Sequence, residues 1–309
     1  NIDFEIGAGN EAAIAIRFHA AQHAILAHVN FNLGSALAGI HDAGNIGEDL
    51  HFSGGRFGIM TRKPSPAWQY TLVDSSFEGQ REAAIRENEA QLTLVNVHFR
   101  NVPTAVAIDP RYSDWLWVKN ARLENISGPA FIISNENSRL TQINLEDIHC
   151  SKVPVFAQFR ESGKRLAAPA DTYTVKSLSH GLTIPDLGGI GVTRTTFNAA
   201  PASSLPQAPP PVIKALPPTG TWTNVRSLGL KGDGKTDDTE ALRKAIAAHK
   251  VLYLPAGHYV VSDTIEVSST TTRSASSRLK TARRQTQSAP RSMIVPSYRV
   301  IGSPAWLCL

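Results

Sequence analysis

Cysteine and long apolar runs are scarce in this sequence of 309 residues. Its two cysteines, Cys150 and Cys308, form no CxxC pair, so neither a zinc site nor a disulfide framework is predicted. Cys150 follows a strand pattern, and we expect it to be a buried thiol. No apolar run approaches the ~20 residues of a membrane-spanning helix, so no membrane association is predicted.

A signal peptide and an initiator methionine are also missing from the first residues, NIDFEIGAGNE, which already show strand character. We therefore expect the sequence to be a fragment of a longer protein. On this interpretation, the missing signal peptide says nothing about whether the parent protein is exported.

Acidic residues are absent from residues 268–309, which contain seven of the 31 basic residues. The net charge of +5 therefore belongs to this tail, because the remaining 24 basic and 26 acidic residues give −2. The body of the chain is not a basic nucleic-acid binder, and no nucleic-acid partner is predicted. The tail itself is either a true Arg/Ser segment or a frameshifted end. We expect it to be disordered or frameshifted.

Short strands with alternating apolar residues recur at intervals of 21–25 residues along the first part of the chain. The apolar residues that end these runs are Phe31, Phe52, Phe77, Phe99, Leu123 and Ile148. A second short strand follows each run after a small turn. This period predicts an all-β fold, a parallel β-helix whose coils stack at ~4.8 Å, rather than a sandwich.

Changes in composition divide the chain into four segments. Residues 1–197 form the β-helix, and residues 198–221 form a Pro-rich linker of polyproline character. Residues 222–267 begin a second domain, and residues 268–309 are the basic tail. The sequence leaves the oligomeric state of the protein open.

Loops that follow the second strand of each coil should stack along one edge of a solenoid, the usual position of a ligand site. Glu87, Asp109 and Glu136 occupy comparable places in these loops and are the predicted catalytic carboxylates. Carboxylates on neighbouring coils would be ~5 Å apart, and ~10 Å two coils apart. Those separations bracket the ~5–5.5 Å of retaining and ~6.5–9.5 Å of inverting glycosidases. The alternative is that they are solvated charges paired with nearby arginines.

Aromatic and cationic side chains in or beside the same loops are candidates for binding a sugar chain. The predicted substrate-binding residues are Trp68, Arg86, Arg111, Tyr112 and Trp115. Trp117 alternates with Trp115 along one strand, and one of the two is expected in the core.

The stretch GDGKTDDTEALRKAIAA, which begins at Gly232, lacks the spacing of a phosphate loop or an EF-hand. Asp237 is a predicted helix N-cap with Glu240 as its capping-box partner, and strands follow from Val251. A turn and a helix start are therefore the favoured interpretation. The predicted structural motif comprises Gly232, Asp233, Gly234, Asp237, Asp238 and Thr239.

Residues 222–267 resemble the entry segment of the pectate lyase superfamily, of the rhamnogalacturonase/epimerase-like kind. In that superfamily such a segment caps a right-handed parallel β-helix. Together with the upstream repeats and the linker, the chain resembles the two-β-helix glycoside hydrolases of family 55. The resemblance implies hydrolysis of a polysaccharide such as a β-1,3-glucan by a secreted or periplasmic parent enzyme. After residue 267 the strand pattern stops, which implies a truncated second β-helix.

Two other functions remain open from the sequence. A polysaccharide lyase would use Ca²⁺ held by stacked carboxylates, with Arg86 or Arg111 assisting. A third interpretation is a β-helix that binds glycans or serves as a structural spike without catalysis. For a hydrolase no cofactor and no metal are predicted, and the partner is a polysaccharide.

Overall fold

The computed structural model describes residues 2–20, 22, 24–62, 69–207, 217–266, 274–275, 279–282, 297–302 and 305–308. Two compact units divide the chain, Asn1–Ile213 and Lys214–Leu309. We refer to them as unit 1 and unit 2. Trp68, one of the predicted binding residues, lies outside the described residues.

Unit 1 is built from short strands without an α-helix in its described part. The strands are β1 (Ile2–Glu5), β2 (Ile14–Arg17), β3 (Ile25–Asn32), β4 (Ala38–His41), β5 (Asn45–Ser53), β6 (Phe57–Met60), β7 (Tyr70–Val73), β8 (Ser76–Glu78), β9 (Ala83–Glu87), β10 (Leu92–Val95), β11 (His98–Val102), β12 (Val106–Ile108), β13 (Trp115–Lys119), β14 (Arg122–Ile126), β15 (Pro129–Ile133), β16 (Gln142–Ser151), β17 (Val155–Phe159), β18 (Arg165–Ala167), β19 (Thr172–Thr183) and β20 (Val192–Pro201).

These strands form a parallel β-solenoid, as the repeats predict. One 12-stranded sheet has β1, β3, β5, β7, β10, β13 and β16 as successive neighbours, and β8, β11 and β14 continue it around a bend. The second sheet has the order β18-β17-β15-β12-β9-β6-β4-β2. From β2 to β17 its pairings are parallel, so each of its strands belongs to a new coil.

Equivalent apolar side chains stack inside the solenoid from coil to coil. Phe4, Phe31, Phe52, Phe77 and Phe99 lie in parallel planes with ring centroids 4.6–5.2 Å apart between neighbours. This spacing follows from the distance between neighbouring strands and gives offset-stacked rings. The repeat predicted from the sequence therefore marks the interior of the first sheet.

The structure corrects the last member of the predicted repeat. Leu123 continues the phenylalanine stack, but its partner on the next coil is Cys150 rather than Ile148. Strand β13 is already in register with β16 at Trp115 and Gln142, 27 residues apart, and the same offset joins Leu123 to Cys150, so this coil is longer than the 25 residues that the sequence suggests. Cys150 is fully buried, as predicted, and burial raises the pKa of its thiol to about 12.

Antiparallel strands cover the last coil. Strand β19 pairs with β16 from Ile143 to Ser151, and β20 pairs with β19 on its other side. Buried Tyr173 of β19 donates its hydroxyl hydrogen bond to the carbonyl of Val153 at 2.8 Å. Because an open sheet edge is a template for unwanted pairing, this hairpin protects the end of the parallel stack.

Unit 2 contains one α-helix, α1 (Thr239–Ala248), in its described part. Its strands are β21 (Thr223–Asn224), β22 (Asp233–Asp237), β23 (Val251–Leu254), β24 (Gly257–Val261), β25 (Ser274–Ala275), β26 (Leu279–Ala282), β27 (Ser297–Gly302) and β28 (Ala305–Cys308). Short 3-10 helices span Thr219–Thr221 and Val225–Leu228.

Unit 2 contains the predicted helix and the strands predicted after it, but it does not confirm a second β-helix. Strands β21 and β22 pair in parallel with β23 and β24, respectively. The later strands β27 and β28 pair antiparallel with β24 and β23. The described segments of 268–309 are thus strands, whereas the prediction for the tail as a whole stays a prediction.

Acidic side chains of the Gly232–Thr239 motif hold the turn ahead of α1. Asp238 accepts hydrogen bonds from the backbone N–H groups of Lys231 at 2.7 Å and Gly232 at 3.0 Å. Asp233 accepts from two further N–H groups of its own turn, which lowers its pKa to about 2. Gly232 has φ 57°, and a Cβ there would lie 2.8 Å from the ring of Tyr259.

The predicted N-cap is displaced by one residue. The helix begins at Thr239 with Asp238 as its N-cap, and the carboxylate of Asp238 makes no capping hydrogen bond because it accepts from the preceding turn. Asp237 nevertheless accepts the N–H of Thr239 at 2.9 Å. The side chain predicted to cap the helix therefore bonds to its first turn from one position further away.

We expect Phe77→Ala to lower the free energy of unfolding of unit 1 by ~3–5 kcal/mol, because it leaves a cavity in the middle of the stack. The ring of Phe77 lies 4.7 Å from Phe52 and 5.2 Å from Phe99. Chemical denaturation of the whole chain measures the loss. Phe4→Ala, at the half-buried end of the stack, is the matched control and should cost less. Equal losses would contradict the central role of the stack.

Candidate functional site

The loops between the second sheet and the next coil lie side by side, because the strands that precede them are parallel neighbours. We call residues 88–91, 109–114 and 134–141 the loop edge. The carboxylates and aromatic residues predicted from the sequence lie on these loops or at their borders. The loop at residues 63–68 lies outside the described residues.

Glu87 points into the solenoid interior. It ends β9, is fully buried, and is in register with buried Ile108 on the next coil. Its Oε1 accepts the N–H of Ala90 at 2.6 Å, whereas Oε2 has no hydrogen-bond partner. Burial, and then the charge of Asp114, raise the pKa of Glu87 well above its ordinary value. A carboxyl in this position favours the protonated form.

Asp114 is a second buried carboxyl that the sequence analysis did not single out. It lies at the end of the loop before β13 and is 1% exposed. Burial raises its pKa to about 7, although nearby N–H groups of Trp115, Gln91 and Leu92 oppose the rise. Neither of its carboxyl oxygens accepts a hydrogen bond of good geometry. A buried aspartate beside a buried glutamate is the type of site in which one group stays protonated.

Asp109 lies close to Glu87 but is held by a cation. Its Oδ1 accepts from Arg86 Nε at 2.8 Å, and its Oδ2 accepts from Asn88 Nδ2 at 3.1 Å. Asp109 is 14% exposed and Arg86 is 43% exposed. The charge of Asp109 adds a small contribution to the raised pKa of Glu87. The structure therefore brings Glu87, Asp109 and Arg86 together.

Glu136 is engaged elsewhere on the loop edge. Its Oε2 accepts the N–H of Ser162 at 3.4 Å, and its carbonyl oxygen is 2.8 Å from Nε2 of His180 in β19. Its own N–H points to Glu161 Oε2 at 3.4 Å. None of its described hydrogen bonds reaches Glu87 or Asp109, so the three predicted carboxylates do not form a single hydrogen-bonded group.

Trp115 and Trp117 both face outward, which corrects the prediction that one of them is in the core. They are 51% and 36% exposed, whereas Leu116 and Val118 between and beyond them are buried. Residues two apart on a strand share one face, so both indoles must lie on the same side. On the next coil, Gln142 and Asn144 are in register with the two tryptophans.

A cavity of about 100 Å³ adjoins this aromatic face, and its lining includes Trp115, Glu89 and Ser113. Tyr112, in the same loop, is 38% exposed, and Arg111 before it has a left-handed backbone with φ 70°. Exposed indole, carboxylate and hydroxyl groups thus converge where the loop edge meets β13. Such a combination suits a ligand that has both apolar faces and hydroxyl groups.

Two kinds of feature are absent from the part of the chain that the structure describes. No group of three or more His, Cys, Asp or Glu side chains there could hold a metal ion. In the same part of the chain, no helix has the length and apolar character needed to cross a membrane. The Ca²⁺ expected for a lyase stays a prediction.

Residues 222–301 match the family "Rhamnogalacturonase A/epimerase, pectate lyase-like". This match and the parallel β-solenoid confirm the resemblance to the pectate lyase superfamily. The matched region begins at Trp222, where the sequence predicts the second domain, and continues beyond Val267 into the basic tail. The two-β-helix arrangement of family 55 remains a proposal.

Two curated proteins share a short segment with the chain. One is Alginate lyase 7 of Azotobacter vinelandii, 56% identical over 50 residues, which is 15% of this chain and 6% of that protein. The other is the pre-neck appendage protein of Bacillus phage B103, 48% identical over 48 residues, which is 16% of this chain and 6% of that protein. The chain therefore matches only a small part of either relative.

We expect the stability of unit 1 to fall as the pH rises from about 4 to about 7. The unfolded chain ionises Asp114 near its ordinary pKa of 3.8, whereas the folded state retains the proton until about 7. In Asp114→Asn this pH dependence should shrink by up to about 4 kcal/mol, since each unit of pKa difference is worth about 1.4 kcal/mol. Chemical denaturation at several pH values measures it.

Asp171→Asn is the matched control, because Asp171 is exposed on the surface of the same unit. Its pH dependence should equal that of the unsubstituted chain. An unchanged slope in Asp114→Asn would show that Asp114 is ionised in the folded state over this range.

Proposed function

We propose that the chain is part of a secreted polysaccharide-degrading enzyme, a glycoside hydrolase that acts on a glucan or related polysaccharide through paired carboxylates. The observation that carries the proposal is the position of Trp115. Its exposed indole lines a cavity with Glu89. Asp114, whose raised pKa favours the protonated carboxyl, precedes it in the chain. Aromatic faces pack on sugar rings, so this cavity is the proposed place of the bond to be cleaved.

The roles of the carboxyl groups follow from their environments. A general acid must hold a proton at the working pH, and the pKa of Asp114, raised to about 7, provides this. Glu89 lines the cavity and is proposed as the second carboxylate. Glu87 lies in the interior beside Asp114, and its own raised pKa lets the two carboxyls share a proton, so it is a positioning residue in this proposal. Asp109, paired with Arg86, is proposed to bind substrate hydroxyls together with Arg111 and Tyr112.

A polysaccharide lyase is the second candidate, and the similarity to Alginate lyase 7 favours it. A lyase must neutralise the carboxylate of a uronate and remove the neighbouring proton. Arg86 and Arg111 would supply positive charge there, and Ca²⁺ would assist. The third candidate is a non-catalytic glycan-binding or structural β-helix, which the similarity to a phage appendage protein favours.

Product analysis distinguishes the three candidates. A hydrolase releases reducing ends from a β-1,3-glucan without a new ultraviolet absorbance. A lyase acting on alginate forms an unsaturated uronate, which absorbs ultraviolet light. We expect reducing ends, and we expect Asp114→Asn to lower their release by roughly 10²-fold or more, as for loss of a general acid. Ultraviolet-absorbing products would establish the lyase instead. Binding without products from either polysaccharide would favour the non-catalytic candidate.

Glycan binding tests the aromatic face separately from cleavage. We expect Trp115→Ala and Trp117→Ala each to weaken binding of a soluble β-1,3-glucan by about tenfold, equivalent to ~1.4 kcal/mol. Affinity electrophoresis measures the change. Ile25→Ala is the matched control, because Ile25 is 58% exposed and lies on the same outward row as Trp117, four coils away. A control that weakens binding as much as the tryptophan variants would place the glycan elsewhere.

A further inference from the structure

A chain of hydrogen bonds on the outer surface of the first sheet links a serine, a histidine and an aspartate. Ser76 Oγ lies 2.8 Å from Nδ1 of His51, and Nε2 of His51 lies 2.9 Å from Oδ1 of Asp49. The other oxygen of Asp49 lies 2.7 Å from Nδ1 of His28. Ser76 and His51 are directly in register on neighbouring coils, which places the hydroxyl beside the imidazole.

The direction of each hydrogen bond follows from the charge of Asp49. Burial opposes ionisation, but the hydrogen bonds from His28 and His51 hold the pKa of Asp49 below its ordinary value. An ionised carboxylate only accepts, so Nε2 of His51 donates to it. In a neutral imidazole Nδ1 is then an acceptor, and the hydroxyl of Ser76 donates to Nδ1. This is the arrangement of a serine nucleophile and its general base, with the two ring nitrogens exchanged relative to serine proteases.

Ser76 and His51 also line a cavity of about 250 Å³. The amides of Asn30 and Asn32 line it as well, and each donates one N–H to a carboxylate, Asp3 at 2.9 Å or Glu5 at 2.8 Å. Because a side-chain amide has two N–H donors, each retains one for a ligand oxygen. Asp3 and Glu78 add negative charge to the lining, which disfavours an anionic ligand.

Neighbouring coils use the same outward positions differently. His98, in register with Ser76 on the next coil, lies 2.9 Å from Glu124 through Nε2. Asn30, in register with His51 on the previous coil, donates to Asp3. The small hydroxyl of Ser76 is therefore the feature that combines an imidazole partner with open space in front of it.

We propose that Ser76 and His51, with Asp49 as a positioning residue, form a hydrolytic site for an uncharged carboxylic ester with a small acyl group, such as an acetylated sugar hydroxyl. Ser76 Oγ attacks the carbonyl carbon and transfers its proton to Nδ1 of His51. The ester C–O bond breaks, and the departing alcohol takes that proton. Water then attacks the acyl-serine with proton transfer to the same nitrogen, and the serine leaves with its proton restored. The proposal does not depend on the glycoside hydrolase assignment.

Hydrolysis of p-nitrophenyl acetate by the whole chain tests the site. We expect Ser76→Ala and His51→Ala each to lower the rate by roughly 10²-fold or more, in line with the loss of a nucleophile or its base. Ser179→Ala is the matched control, because Ser179 is exposed on the same unit, donates its hydroxyl to Asn144 Oδ1 at 3.1 Å and does not line this cavity, so it should retain the rate. Circular dichroism confirms that each variant is folded.

Covalent labelling gives a second readout. Diethyl p-nitrophenyl phosphate should phosphorylate Ser76, as seen by peptide mass spectrometry, and the label should be lost in Ser76→Ala. For Asp49, we expect Asp49→Asn to slow labelling and Asp49→Glu to restore part of the rate, which a merely structural role would not do. Absence of the label on Ser76 would overturn the proposal. Hydrolysis that survives Ser76→Ala but is lost in His51→Ala would also overturn it, because the imidazole itself would then be the nucleophile.

Discussion

Stacking of each interior side chain on its equivalent in the next coil is the interaction on which the rest of unit 1 depends. Phe31, Phe52 and Phe77 show it most directly, because their rings repeat at nearly the spacing of the strands. A coil of this kind cannot bury its own apolar face and gains stability only from its neighbours. The parallel register of both sheets follows from this requirement, and so does the alignment of the loops and outward rows.

Outward positions carry chemistry because the interior alone secures the fold. On one surface, Trp115 and Trp117 form an aromatic face beside a cavity, and on another, Ser76 and His51 form a hydrogen-bonded pair. Each arrangement joins residues from different coils or from the two ends of a loop. A solenoid can therefore present two different surfaces without changing the packing between its coils.

Glu87 is the exception to an apolar interior row, and it indicates where the fold accommodates function. Burying a carboxyl that has an unpartnered oxygen costs free energy, whereas burying Ile108, which is in register with it, does not. Local violations of folding rules are expected at functional sites. The position of Asp114 beside it gives this cost a chemical use, because two buried carboxyls retain a proton near neutral pH.

By itself the sequence determined the solenoid, the phenylalanine stack and the helix after the Gly232–Thr239 turn, because each depends on a period or a motif within one segment. Only the tertiary structure decided that Cys150 rather than Ile148 continues the stack, since the length of the preceding coil sets an offset of 27 residues between β13 and β16. It also decided that Asp114 lies beside Glu87 and that Ser76 meets His51. Those contacts join residues 27 and 25 positions apart, and the exact length of each loop, which no local pattern encodes, sets which side chains meet.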